Sequence, residues 1–140
     1  MYDHLRAIQL NVADTPDLVP PLAIVAAFAE GTSKFSGVQR LRLKESDRLQ
    51  SITAAISALG GRAYIEGDDT LVIEGHGSLD GGSVDGESDH RIVMMAAVAA
   101  SFANNPTTIT HAEAIAKSYP AFFEDFRALG GNVELTETTE

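Results

Sequence analysis

Lys44, Glu45 and Arg48 sit together in the run Lys-Glu-Ser-Asp-Arg, and His90 and Arg91 follow Asp89. Lys117 opens Lys-Ser-Tyr-Pro, and Asp17 follows Pro16. Each group stands where a helical pattern begins. A helix N-terminus carries about half a positive charge, so acids are favoured there and bases are not. Asp17, Asp47 and Asp89 obey that rule, whereas Lys44, Arg48, Arg91 and Lys117, four of the 10 basic residues, go against it. An anion in front of these helix ends accounts for the exception, because backbone N–H groups and cationic side chains would then act on it together. Taken singly, each motif has a plainer reading. Ser46 is a good N-cap with Glu45 and Arg48 paired on the surface, Asp89 caps a helix, Pro120 sits at a first helical position, and Asp17 is an acid favoured by the dipole.

These residues need elements to position them, and the pattern alternates strands and helices. A strand is expected over Ala7–Val12, an apolar helix from Pro16 to Glu30 stopped by Gly31, and an extended segment over Thr32–Val38. Leu49, Ile52, Ile56 and Leu59 form one stripe of a helix over Ser46–Leu59, closed by Gly60-Gly61. Arg62–Glu66 and Thr70–Glu74 read as a hairpin around Gly67-Asp68-Asp69. A short strand at Ser83–Asp85, a second apolar helix over Asp89–Ala103 and an extended Thr107–Thr110 follow. Pro120–Leu129 is helical, Gly130-Gly131 stops it, Asn132–Leu135 is a strand, and the tail 136–140 is frayed. The order repeats: Ala-Leu-Gly-Gly occurs at Ala58 and again at Ala128. Two copies of one α/β unit, about 14–75 and about 83–135, are the economical account.

Composition narrows the chemistry. The 140 residues hold 10 Lys+Arg against 20 Asp+Glu, a net charge of −10 that repels nucleic acid and anionic lipid. No apolar run is long enough to span a membrane, and the N-terminus lacks a signal-peptide pattern. Cysteine is absent, which removes thiolate chemistry and suits a cytoplasmic setting. His4, His76, His90 and His111 show no metal-ligand spacing, and no glycine-rich nucleotide loop is present, so no metal or cofactor is expected.

Four segments, in order, carry a family likeness: Asp14-Thr15-Pro16-Asp17-Leu18-Val19-Pro20, Leu43-Lys44-Glu45-Ser46-Asp47-Arg48-Leu49, Asp89-His90-Arg91-Ile92-Val93-Met94, and Lys117-Ser118-Tyr119-Pro120 with Phe122, Phe123 and Asp125. The chain resembles the 5-enolpyruvylshikimate-3-phosphate synthases (3-phosphoshikimate 1-carboxyvinyltransferases) from about Ala7 to Leu135. The resemblance implies an α/β fold of repeated βαβαββ units in an inside-out, barrel-like domain. It implies about two of the three units of that family's second domain, with the N-terminal domain missing and Met1 not the enzyme's own start. The implied reaction transfers enolpyruvyl from phosphoenolpyruvate to the 5-hydroxyl of shikimate 3-phosphate and releases phosphate. By that likeness Asp17, Glu45 and Lys117 are catalytic. Asp17 and Lys44 contact shikimate 3-phosphate, while Arg48, His90, Arg91 and Lys117 contact phosphoenolpyruvate. Either Glu45 or Lys117 protonates the methylene carbon. Arg40 stands where some members have a substrate-contacting Asn, so no role is carried to it. The isolated chain is expected not to turn over. A fragment of the related UDP-N-acetylglucosamine enolpyruvyl transferase, or a non-catalytic anion-binding module, are the alternatives.

Overall fold

A computed structural model describes residues 5–44 and 47–132, with the side chain of residue 117 outside what is described. The expected strand over Asn132–Leu135 and the frayed tail fall at or beyond that limit.

The first strand, β1 (Gln9–Asn11), leads through a 3-10 turn at Pro16–Leu18 into helix α1 (Val19–Phe28). Pro20 and Pro21 fit its first turn, where a missing N–H costs nothing. Ala29 takes up extended backbone and ends the helix. Glu30 and Gly31, expected as the last helical residue and its stop, instead begin strand β2 (Glu30–Ser36). The cause is a close approach. Gly31 lies opposite Gly75 in the sheet. A Cβ on Gly75 would stand 2.1 Å from the Ala29 carbonyl oxygen and 2.4 Å from that of Ala26. Only glycine lets the end of α1 lie directly on the strand.

A 3-10 turn at Gln39–Leu43, absent from the sequence-based reading, separates β2 from helix α2 (Arg48–Ala58). Leu49, Ile52, Ile56 and Leu59 are all fully buried, as their spacing predicts. Strands β3 (Arg62–Glu66) and β4 (Thr70–His76) form the expected hairpin, with Gly67 at φ 64° in its turn. The sheet order is β1-β2-β4-β3, with β1 parallel to β2 and the other pairs antiparallel. Ser33, Phe35, Leu71 and Ile73 on the sheet are buried.

The second half repeats the first. Strand β5 (Ser83–Asp85), helix α3 (His90–Phe102) and strand β6 (Thr108–Thr110) form another strand–helix–strand unit with its two strands parallel. A 3-10 turn at Ala112–Lys117 follows, then helix α4 (Phe122–Ala128), which starts two residues later than expected. Both Ala-Leu-Gly-Gly copies end their helices alike. Gly61 N–H donates to Ile56 and Gly60 N–H to Ser57, and Gly131 and Gly130 do the same to Phe126 and Arg127. This is the Schellman arrangement that satisfies the last carbonyls of a helix.

One buried cluster, including Val19, Phe35, Leu49, Ile56, Leu71, Ile92 and Ala96, runs through both halves. A smaller one, Val93, Ala114 and Ile115, seats the 3-10 turn at Ala112–Lys117 on α3. Between α1 and α3 an apolar groove of about 330 Å³ stays open, lined by Pro21, Val25, Met94 and Val98 among others. No helix among the described residues is long and apolar enough to cross a membrane.

Candidate active site

The elements place the beginnings of α1, α2 and α3 together. Arg48 is the first residue of α2, yet its side chain is only 1% exposed. Its Nε donates to Asp89 Oδ2 at 2.9 Å and its Nη2 to Asp89 Oδ1 at 3.0 Å, a two-pronged bond. Asp89 is fully buried and caps α3, its Oδ1 also accepting from the Arg91 N–H at 3.0 Å. A buried charge is tolerable only when paired and hydrogen-bonded, and this pair meets both conditions.

Asp17 reaches the same place from the 3-10 turn before α1. Its Oδ1 lies 3.4 Å from Arg48 Nη1 and its Oδ2 lies 3.5 Å from Arg91 Nη2. The Asp17 side chain is 53% exposed, so the carboxylate is held by two guanidiniums while one side faces solvent. Asp17, Arg48, Asp89 and Arg91, which are up to 74 residues apart in sequence, thus form one cluster.

Of the remaining sequence candidates, only His90 adjoins the cluster directly, between Asp89 and Arg91 in the chain. Lys44 directly follows the 3-10 turn at Gln39–Leu43, and among the described residues it makes no hydrogen bond or ion pair. His90 is the first residue of α3 and partly exposed. Lys117 ends the 3-10 turn at Ala112–Lys117 rather than preceding a helix directly. It therefore occupies the place in the second half that Lys44 borders in the first. Glu45 lies outside the described residues.

Asp89 is the residue that sequence reasoning undervalued. It read as a plain N-cap, but it also neutralises Arg48, a base that seemed to await an external anion. The available signal was the pairing of a cap acid in one half with a helix-start arginine in the other. Beside the cluster, Asp85 and His111 pair at 2.8 Å. The His111 hydrogen bond to Asp85 raises the imidazole pKa above its ordinary 6.5. The Glu87 N–H, and then His111, hold the Asp85 carboxyl below 3.8.

The family model for EPSP synthase (3-phosphoshikimate 1-carboxyvinyltransferase) matches residues 1–126. The 3-phosphoshikimate 1-carboxyvinyltransferase of Methanocella arvoryzae is 47% identical over 131 residues, which make up 94% of this chain and 31% of that protein. That of Clostridium kluyveri is 44% identical over 127 residues, or 91% of this chain and 30% of that protein. The solved EPSP synthase of Acinetobacter baumannii superposes with a TM-score of 0.82 at 33% identity, over 90% of this chain and 30% of that one. The enolpyruvyl transferase NikO from Streptomyces tendae, at TM-score 0.72 and 21% identity over 99% of this chain and 31% of that one, shares the fold. The chain spans about three tenths of the length of these relatives.

Proposed function

This chain belongs to the EPSP synthase family, and from that premise we propose that it supplies part of the active site for enolpyruvyl transfer from phosphoenolpyruvate to shikimate 3-phosphate. One observation carries the reading: a half-exposed Asp17 carboxylate gripped by Arg48 and Arg91 where three helices begin.

The chemistry asks for a group to take the proton of the 5-hydroxyl, a donor for the methylene carbon, and cations for phosphate and carboxylate. The hydroxyl oxygen adds to the central carbon of phosphoenolpyruvate while the methylene gains a proton. Loss of phosphate and of a methyl proton then restores the double bond. Asp17, accessible on one side, is suited to the hydroxyl proton and the shikimate ring, with Lys44 on its phosphate. Arg91 and His90, partly exposed at the start of α3, are assigned with Lys117 to the phosphoenolpyruvate anion. Arg48 adds its charge from below, fixed by Asp89. Glu45 or Lys117 protonates the methylene. Since Arg48 and Arg91 are balanced by Asp17 and Asp89, the surplus positive charge for a doubly anionic ligand falls to Lys44 and Lys117.

The N-terminal domain and a third unit would complete the enzyme. The open α1–α3 groove supports this, because a third pair of helices would cover Val25 and Val98, now about half exposed at 50% and 43%. A cytoplasmic setting belongs to the same proposal.

The test joins this chain to the remaining part of the Methanocella relative and follows phosphate release from phosphoenolpyruvate with shikimate 3-phosphate. The joined protein should turn over, the isolated chain should not, and Arg91→Ala in the joined protein should raise KM for phosphoenolpyruvate at least about tenfold. Turnover by the chain alone, release that needs UDP-N-acetylglucosamine instead, or anion binding without turnover in the joined protein would overturn the reading.

A further inference from the structure

The backbone is most unusual at one junction beside the cluster. Among the described residues three non-glycines have positive φ: Glu87 at 57°, Ser88 at 54° and His111 at 54°. Left-handed backbone crowds Cβ against the next carbonyl, so such residues persist only where neighbours hold them. Here the holding contacts are visible. Asp85 Oδ1 accepts from the Glu87 N–H at 2.8 Å and lies 2.8 Å from His111 Nδ1. The Gly86 N–H donates to the Thr110 carbonyl at 2.8 Å, and a Cβ on Gly86 would meet that same oxygen at 2.8 Å. On the other side, Glu87 Oε2 accepts from Ser51 Oγ of α2 at 3.1 Å. The Asp89 N–H closes the turn onto the Gly86 carbonyl at 2.9 Å. What this turn delivers is the Asp89 carboxylate, to Arg48 and to the Arg91 N–H.

We propose that His111 is a positioning residue: through Asp85 it holds the turn at 86–89 in its left-handed form and so sets Asp89 against Arg48, and the cluster loosens as the imidazole loses its proton. Among the described residues the charged groups acting on His111 are acidic: Asp85 at the end of β5, Glu113 in the 3-10 turn that follows and Glu87 in the turn. They favour the protonated ring, and a charge-assisted bond is roughly twice as strong as a neutral one. The functional half of the proposal rests on the cluster's reading as an anion site; the structural half does not.

The experiment therefore begins without ligand. Amide signals of Glu87, Asp89 and Arg91 and the His111 ring are followed by NMR in the 140-residue chain from about pH 5 to about pH 9. The amides should move with the ring's own midpoint, above 6.5. His111→Asn, which tolerates left-handed backbone and keeps a donor but does not titrate, should abolish the step while keeping the low-pH positions. His111→Ala should leave the amides displaced at every pH. Sulfate, ionised throughout, then serves as the probe: its affinity should fall about two- to threefold across the step in the parent and stay flat in His111→Asn. Amides indifferent to the His111 ring, or a step that persists in His111→Asn and so belongs to another group, would overturn the proposal. A loop step with no sulfate binding would instead confirm the positioning role and overturn the anion-site reading.

Discussion

Replacing Asp89 by alanine should cost more than any other single change in the cluster. The substitution removes both bonds to a guanidinium that is 1% exposed, leaving it buried near Asp17 at 3.4 Å. Breaking a buried ion pair by deleting one partner costs about 3–5 kcal/mol. The lost cap on α3 is worth about 1 kcal/mol by itself. The two overlap, since one carboxylate does both, so about 4 kcal/mol is the expected sum. With a urea slope of about 1.5 kcal/mol per molar, the unfolding midpoint should fall by between about 2 and 3 M. A domain holding about 5–15 kcal/mol in all would be left marginal or unfolded. Circular dichroism during urea titration reads the midpoint, or the folded fraction in plain buffer if little folded protein remains. Asp89→Asn, which keeps the cap and loses the charge, should fall between parent and alanine variant. Arg48→Met with Asp89→Asn should be more stable than Asp89→Ala, because no charge is then left buried. A loss near 1 kcal/mol for Asp89→Ala, the size of a cap alone, would refute the buried-pair argument.

Other outcomes follow from the same geometry. Arg91→Ala removes a partly exposed ion pair at 3.5 Å, so stability should change by less than about 1 kcal/mol while sulfate affinity falls about fivefold or more, as read by calorimetry. Gly75→Ala would push a Cβ to 2.1 Å from a backbone oxygen and should destabilise at or beyond the upper end of about 1–3 kcal/mol, whereas Gly67→Ala, in open space at φ 64°, should cost about 1 kcal/mol; urea midpoints of the two should separate clearly. His111, with its raised pKa, contributes fully below 6.5 and loses that contribution as pH rises through its higher folded value, while Asp85, with its lowered pKa, contributes fully above 3.8 and loses it as pH falls through its folded value. The stability difference between parent and His111→Ala should therefore be largest between 3.8 and 6.5 and shrink on either side, as thermal melts across pH will show.

Local features were legible because their causes are local. The β3–β4 hairpin follows from alternating residues around Gly67, and the α2 stripe from helical spacing. Both Gly-Gly stops carry their own hydrogen-bonding logic. What sequence could not show was set by distant partners. Arg48 reads as a surface base until Asp89, 41 residues on, is placed against it. Glu30 and Gly31 read as a helix end until β4 draws them into the sheet opposite His76 and Gly75. The 3-10 turns at Gln39–Leu43 and Ala112–Lys117 have no apolar period of their own, being short segments seated by Leu41 in one half and by Ala114 and Ile115 in the other. Of the candidate site, the convergence of Asp17, Arg48 and Arg91 followed the placement of charge at helix starts, while the neutralising role of Asp89 did not.

The sheet order also dictates a sequence of events in time. The β3–β4 hairpin closes over a three-residue loop, a step of about 1–10 μs. The central pairing of β2 with β4 joins Phe35 to Leu71 across the whole of α2, and loop-closure entropy makes such distant contacts later. Arg48 and Asp89, 41 residues apart, make a distant contact of the same kind, so the cluster at the helix starts is expected to assemble late. A nascent or partly refolded chain should hold a finished hairpin well before Arg48 and Asp89 are paired.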